Sequence, residues 1–381
     1  MKSKFGIRNI ITQCSLNKMY ATEIFLKDWR NIAEIKFSPD NAINIFLGQN
    51  AQGKTNILES INFASLLRSR AGKEEELIRW GQSVALLRIK FFKADVSHEL
   101  AIEVAQNKRR RIFLDANPIR PRELVGKLNS VFFSPEDLFM FKDSPKTRRK
   151  FLDAQISQAS PVYFLDLLKY NRIVEQRNVL LKQIRDKAAS RMELNLWDTQ
   201  LAFAAERVLS KRLSAVDDLN RLANSMHKKI SSQKENLSVV YEMRGLDSKE
   251  DIAENFFEIL RARRDDDIRN GSTSKGPHRD DLRFFINGRE LKLFGSQGQL
   301  RTAALSLKLS ELQFLKTETG EYPLLLLDDV MSELDATRRE MLLEFLRREK
   351  IQTLITATDR AYFPTQSFGK FFFVSAGELT Q

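Results

Sequence analysis

Eight residues constrain this chain more than any others: Gly48-Gln49-Asn50-Ala51-Gln52-Gly53-Lys54-Thr55. They fit the spacing G-x-x-x-x-G-K-[ST]. Two glycines with four residues between them let the backbone curl until successive N–H groups face one point. A lysine and a hydroxyl then close the cradle. The preceding Ile43–Leu47 reads as a strand, and the following Asn56–Arg68 carries its apolar residues at helical spacing. Strand, glycine loop and helix together form a phosphate-binding turn, with the positive end of the helix aimed at the anion. In this reading Lys54 reaches the β- and γ-phosphates of a nucleotide and Thr55 offers its hydroxyl to Mg²⁺. Ala51 stands where many such loops have glycine, which is tolerable if its φ is negative.

Such a loop needs a carboxylate at the end of a neighbouring strand to hold the metal. Leu324-Leu325-Leu326-Leu327-Asp328-Asp329 supplies it, an apolar run of the buried parallel type ending in two acids. Asp328 is the metal candidate, and Asp329 the residue that polarises the attacking water. Between the two motifs, Ser296-Gln297-Gly298-Gln299 precedes a helix predicted over Gln299–Lys316. A serine and a glycine there suit a second anion site. That site has a use if two chains face each other and each completes the other's.

The rest of the chain reads as an α/β protein. Short strands are predicted at Ala21–Leu26, Ile32–Phe37, Ala85–Lys93, His98–Gln106, Arg110–Asp115, Ser130–Phe133, Gln352–Thr356 and Lys370–Val374. Val162–Arg244 contains neither Gly nor Pro, which predicts helix throughout, broken into two antiparallel helices at the polar Arg185–Glu193. Trp197, Leu201, Ala204 and Val208 lie on one face and read as core. Asp265–Pro277 reads as loop. Asn287-Gly288 between Leu282–Ile286 and Arg289–Phe294 predicts a hairpin with a type I′ turn. Arg338–Arg348 is a predicted helix.

The 381 residues are 42% hydrophobic and 29% charged, enough apolar material for a sizeable core. The formal charge of +12 is compatible with nucleic acid and requires nothing more. A single cysteine, Cys14, excludes an intramolecular disulfide framework and suits a reducing cytoplasm. His98, His227 and His278 lack metal-ligand spacing. No run is long enough for a membrane span. Residues 1–18 read as an upstream extension, with Met19 opening the folded chain. Without Lys2, Lys4, Arg8 and Lys18 the charge of +12 falls by four, to +8. Lys108-Arg109-Arg110-Arg111 at a hairpin and Arg148-Arg149-Lys150 after a proline are open to two readings, DNA-phosphate contacts or solvated charge. Arg261–Arg264 is cancelled by Asp265–Asp267.

In order along the chain, Gly48–Thr55, Ser296–Gln299, Leu324–Asp329 and Ser332-Glu333-Leu334-Asp335 resemble the Walker A, signature, Walker B and D-loop of an ABC-type ATPase. Ser296 lies 241 positions after Thr55, so an insertion fills the gap as in SMC-like proteins. Leu26–Asn31, Phe133–Leu138, Arg148–Asp153, Gly276–Asp281 and Leu324–Asp335 further resemble the RecF family, over essentially Met19 to Leu379. The resemblance implies a P-loop ABC-type ATPase head. Its lobe I, a mixed sheet with helices, is formed from 19–150 and 271–381, with the signature at the junction. A helical lobe II, 151–270, contains a short antiparallel arm. It also implies a weak, DNA-dependent ATPase of replication and recombinational repair. Such proteins dimerise with ATP and Mg²⁺, bind DNA at single-strand gaps, act with RecR and RecO, and assist RecA loading. Asn50 then joins the cradle with Gln49, Ala51 and Gln52. Glu136 takes the Q-loop place, Asp335 belongs to the D-loop, and Thr358 replaces the switch histidine of transporters. With no histidine there, slow hydrolysis is expected. His278, in a family motif, has no assigned chemistry, and positioning near the signature is favoured over a DNA or nucleotide contact. Two alternatives are an SMC-like scaffold in which ATP only locks the dimer and, against the long gap and the missing histidine, a transporter ATPase subunit.

Overall fold

Every residue of Ile43–Leu47 is buried, polar Asn44 included. A strand reaches that state in the interior of a sheet covered on both faces. The computed structural model describes residues 18–67, 72–246, 249–364 and 368–381, and it places this strand there. Apart from Lys18, the expected extension 1–18 lies outside the described residues, as does Arg68.

The chain enters through β1 (Tyr20–Trp29), β2 (Ile32–Phe37) and the central β3 (Ile43–Leu47), then turns into α1 (Lys54–Leu66). β4 (Val84–Lys93), β5 (Val96–Ala105), β6 (Arg111–Leu114) and β7 (Asn117–Pro118) follow. A single turn, α2 (Pro121–Leu124), and β8 (Ser130–Phe133) lead to a 3-10 segment at Pro135–Phe141. Three helices come next: α3 (Pro145–Ala159), α4 (Pro161–Arg185) and α5 (Leu194–Ile230). Then come β9 (Leu237–Glu242), α6 (Ile252–Ala262), α7 (Arg264–Asn270), β10 (Asp281–Ile286), β11 (Arg289–Glu290), α8 (Leu291–Phe294) and α9 (Gln297–Thr319). The last stretch is β12 (Leu324–Asp328), α10 (Val330–Glu333), α11 (Ala336–Glu349), β13 (Thr353–Ala357), β14 (Lys370–Ser375) and β15 (Glu378–Thr380).

Strands from both ends of the chain share one sheet, in the order β15-β14-β3-β13-β12-β8. It is parallel from β14 to β8, with β15 antiparallel at the edge. An antiparallel sheet, β2-β1-β4-β5-β6-β7, packs on one face. Side-chain alternation shows how. Phe46 of β3 stacks on Phe372 of β14 at 5.0 Å and shares a core with Ile24, Leu26, Leu87 and Ile89 of the antiparallel sheet. Ile45 and Leu47 point the other way, into a core built with α3, α4, α5 and α9. A third, small sheet runs β11-β10-β9.

Three segments depart from expectation. Leu237–Glu242 is a strand paired with β10, where the lack of Gly and Pro predicted helix. The turn is made by Ser232 and Gln233, both at positive φ, and Val239, Val240 and Tyr241 have the shape of strand residues. Arg264–Asn270 is a helix that takes up the first part of the loop predicted over Asp265–Pro277, because Asp265, Asp266 and Asp267 fill its first turn and Gly271 closes it at φ 62°. The predicted hairpin keeps its type I′ signature, with Asn287 at φ 49° and Gly288 at 77°, but its second strand stops at Glu290 and turns into α8. The break at Arg185–Glu193 does separate two helices, and Leu201, Ala204 and Val208 are fully buried while Trp197 is partly so. Among the described residues no helix is long and apolar enough to cross a membrane.

Candidate nucleotide site

The loop between β3 and α1 sits at the C-terminal edge of the parallel sheet, where open α/β sheets bind ligands. Gly48 passes so close to β14 that a Cβ there would meet Val374 O at 2.3 Å. Gly53, at φ 109°, would press a Cβ against the Asn31 amide at 2.9 Å. Ala51 has φ 64°, so the condition for tolerating a side chain there is not met and the loop holds a strained alanine. Gln52 turns away from the cradle: its Oε1 accepts from Ala376 N at 2.6 Å and its O from Gly377 N at 2.9 Å, tying the loop to the β14–β15 turn. Gln49, Asn50 and Ala51 are exposed.

Lys54 is buried and donates from Nζ to Gly48 O and Gln49 O, both at 2.7 Å. Burial lowers its pKa from the ordinary lysine value, while Asp329 and Asp328 pull it back up. α1 begins without a side-chain cap and without an acid in its first turn, so its leading N–H groups suit an anion.

Thr55 Oγ1 donates to Asp328 Oδ1 at 2.9 Å, joining the glycine loop to the end of β12. The same carboxylate oxygen accepts from Thr356 Oγ1 of β13 at 2.8 Å, and Thr356 Oγ1 in turn accepts from Asp329 N at 2.9 Å. Thr356 therefore orients both acids, a role the sequence reading missed. A buried hydroxyl at the end of a strand next to the Leu324–Asp329 run was the available signal, shared with Thr353 at the other end of β13. Asp329 adopts φ 50°, and its Oδ1 is buried without a hydrogen bond. Burial raises its pKa; Lys54 opposes this and Asp328 adds to it. A carboxylate with one unpartnered oxygen beside a lysine suits orienting a water. The hard oxygen donors Thr55 Oγ1 and Asp328 Oδ1 suit Mg²⁺ bound together with phosphates. Among the described residues no cluster of three His, Cys, Asp or Glu forms a metal cage on its own.

Ser296, Gln297 and Gly298 are exposed at the start of α9. Ser296 Oγ accepts from Gln299 N at 3.2 Å and Gln299 Oε1 accepts from Ser296 N at 3.0 Å, a reciprocal cap. Asp335 caps α11, accepting from Arg338 N at 2.9 Å. Ser296, Gly298, Gln299 and Asp335 line one depression of about 420 Å³. Among the described residues none of the four shares a hydrogen bond or ion pair with Gly48–Thr55. Glu136 is exposed on the 3-10 segment and lines a groove with Lys150, Lys308 and Glu311. Thr358 directly follows β13, half-buried.

The basic candidates divide. Arg148 is buried and spent inside the protein: its Nε and Nη2 donate to Asp281 at 2.9 and 2.8 Å, and Nη1 to Asp143 O at 2.6 Å. It is no DNA contact. Arg149 donates to Asp280 O at 2.6 Å. Arg110 pairs with Glu74, and Arg111 Nε with Glu103 at 3.1 Å. Arg109 and Lys150 are exposed. The stretches Arg148–Asp153 and Gly276–Asp281 thus meet each other. Asp153 also pairs with buried Arg212, which donates to Pro277 O at 2.6 Å. His278 spends both ring nitrogens here, on the Tyr170 hydroxyl at 2.6 Å and Thr273 O at 3.1 Å, and burial pushes its pKa down to about 4. It holds the fold of this junction.

Residues 20–375 match the family RecF/RecN/SMC N terminal domain. A protein of Halothermothrix orenii described as DNA replication and repair protein RecF is 42% identical over 348 residues, 90% of this chain and 92% of that one. A solved structure of the recombination mediator protein RecF-ATP in the RecFOR pathway is 35% identical, with a TM-score of 0.90 over 97% of this chain and 99% of that one. The Smc head domain of Pyrococcus furiosus, bound to the C-terminal domain of ScpA, shares the fold at 15% identity, with a TM-score of 0.56 over 95% of each chain. The α/β architecture is therefore that of the RecF and SMC head ATPases. By sequence over nine-tenths of its length and by fold over nearly all of it, the chain belongs to the RecF family of DNA replication and repair proteins.

Proposed function

We propose that this protein binds ATP with Mg²⁺, closes as a homodimer on DNA during replication and recombinational repair, and hydrolyses the nucleotide slowly. The observation that carries the reading is the bond from Thr55 Oγ1 to Asp328 Oδ1 beside Lys54, which unites loop, strand end and lysine in one place. Lys54 would exchange its two loop carbonyls for the β- and γ-phosphates, an exchange favoured by charge. Thr55 and Asp328 would hold the metal, which when bound neutralises developing phosphate charge. Asp329 would orient the attacking water through its unpartnered oxygen. Ser296 and Gly298 would face the nucleotide held by the second copy, with Asp335 beside them. Glu136 and Thr358 would complete the surroundings of the nucleotide.

The RecFOR pathway named for the solved relative supports partner proteins and DNA, which we take to be RecR, RecO and gapped duplex, with RecA loading as the outcome. Arg109 and Lys150 are the basic residues we retain for DNA. We assign 19–150 and 271–381 to lobe I and 151–270 to lobe II, in a cytoplasmic protein.

Phosphate release with and without DNA tests the reading. The parent should turn over slowly and faster with DNA. Asp329→Asn should keep ATP binding and lose about 100-fold in rate, the size of a general-base effect. Turnover by Asp329→Asn at the parent rate overturns the assignment. A parent that binds ATP and dimerises without releasing phosphate favours the scaffold reading instead.

A further inference from the structure

The depression at the start of α9 is backed by a closed ring of hydrogen bonds that neither the nucleotide loop nor the capping pair requires. Gln299 Nε2 donates to Glu235 Oε1 at 2.8 Å. Glu235 Oε2 lies 3.3 Å from Nε2 of His227, a fully buried residue of α5. The other ring nitrogen, Nδ1, is 3.1 Å from Ser306 Oγ on α9. Ser306 Oγ donates to Thr302 O at 2.7 Å, and Thr302 Oγ1 donates to Gly298 O at 2.8 Å. The ring starts at Gln299 and ends at Gly298, two neighbours of the same exposed segment. With Nε2–H of His227 donating to the Glu235 carboxylate, Nδ1 accepts from Ser306 Oγ, whose one proton is divided between Nδ1 and Thr302 O.

We infer that Glu235, held by His227, is a positioning residue for Ser296–Gln299: it fixes the Gln299 side chain so that the segment is preorganised for the second chain. The inference rests on the reading that this segment meets the other copy's nucleotide.

Three features support the role. Glu235 lies in the turn after α5, with one oxygen on His227 of α5 and the other on Gln299 of α9, so it links the two helices. It lines the same depression as Ser296, Gly298 and Asp335. A carboxylate accepting from an amide makes a stronger bond than a neutral pair, and so restricts Gln299 more. The ring also places the end of α5, a 37-residue helix that begins at the arm turn, in contact with the segment. A shift of α5 against α9 would therefore be felt at Gln299.

The test uses the full chain in sedimentation with a slowly hydrolysed ATP analogue, alongside nucleotide titration. Glu235→Ala should bind ATP within about twofold of the parent, because its loop is untouched, and need about tenfold more protein to dimerise, the size of one hydrogen bond to a charged group. Glu235→Gln should dimerise more tightly than Glu235→Ala and less tightly than the parent, since its amide still accepts from Gln299 but without the charge, and donates to His227 Nε2 once the ring carries its proton on Nδ1. Should Glu235→Ala not fold, Ser306→Ala removes the far contact of His227 and should weaken dimerisation about threefold. Parent-like dimerisation of Glu235→Ala, or of Ser306→Ala in its place, overturns the inference, as does a Glu235→Gln variant as weak as alanine. Ser296→Arg separates this from the underlying reading. If that variant stays monomeric while Glu235→Ala dimerises normally, only the positioning role fails. If Ser296→Arg dimerises too, the segment does not meet the second chain at all.

Discussion

Ala51 carries a Cβ at φ 64°, where an L-residue costs about 1–2 kcal/mol relative to right-handed backbone. Its neighbours enforce the turn: Gly48 is pinned against Val374, and Gln52 is tied to Ala376 and Gly377. Glycine at this position removes the strain but gives the unfolded chain more freedom. The two effects leave a net gain for Ala51→Gly of about 0.5–1 kcal/mol in urea unfolding without nucleotide. An unchanged or lower stability would show that Ala51 is relaxed. His278 makes a pH prediction. Burial holds its pKa at about 4, below the unfolded value near 6.5. Between those values the unfolded chain binds more protons than the folded one, so stability rises with pH and is lost on acidification. The full loss is about 3 kcal/mol. Urea unfolding at pH 7 and pH 4.5 should show a smaller drop for His278→Gln than for the parent. Equal drops would mean that another group carries the dependence.

Where α3 meets β10, two carboxylate–guanidinium bonds and one carbonyl satisfy Arg148 away from water. Removing one partner of a buried pair strands the other, so Arg148→Ala should cost about 3–5 kcal/mol in urea unfolding. Arg109→Glu, on the β5–β6 connection, should change stability by less than about 0.5 kcal/mol. It should instead flatten the log–log salt dependence of DNA affinity by about one phosphate's slope. A parent-like salt slope in Arg109→Glu removes that hairpin from the DNA surface. The same contrast explains what the sequence could disclose. Apolar runs such as Leu324–Leu327 announce buried parallel strands, and the spacing of Gly48, Gly53, Lys54 and Thr55 fixes loop geometry without reference to the rest of the chain. Arg148 looked like a surface cation because its charge was visible and its partner, 133 positions away, was not. Thr356 was invisible for a related reason: it acts only because the register of β12 and β13 sets it opposite Asp328. β9 was missed because the absence of Gly and Pro excludes neither a strand nor a turn made by other residues, here Ser232 and Gln233 at positive φ. Local chemistry is legible one segment at a time, whereas partners chosen by sheet register or helix packing require the fold.

Two groups of candidate residues share no hydrogen bond or ion pair among the described residues: Lys54, Thr55 and Asp328 in one, and Ser296, Gly298 and Asp335 in the other. Within one chain the second surface has no described bond to the first, and Gly298 faces open space. The proposed twofold dimer would solve this, since its interface would hold two sites, each joining one surface of each kind. The γ-phosphate would be the shared element, so ATP should draw two chains together and ADP should release them. Ser296→Arg tests the arrangement. Its own Walker loop is intact, so it should bind ATP with parent affinity. The long cation at the junction should block approach of the second chain, leaving an ATP-loaded monomer with little hydrolysis. Sedimentation with a slowly hydrolysed analogue reads the state directly, and mixing the variant with Lys54→Ala sharpens the outcome. In a mixed dimer, one site would join the variant's intact loop to the normal Ser296 of the Lys54→Ala chain, and the other would be doubly damaged. One sound site of two should give weak, concentration-dependent association where neither variant alone associates. If ATP-loaded Ser296→Arg dimerises as the parent does, Ser296-Gln297-Gly298-Gln299 is a helix cap and the second surface belongs to some other function.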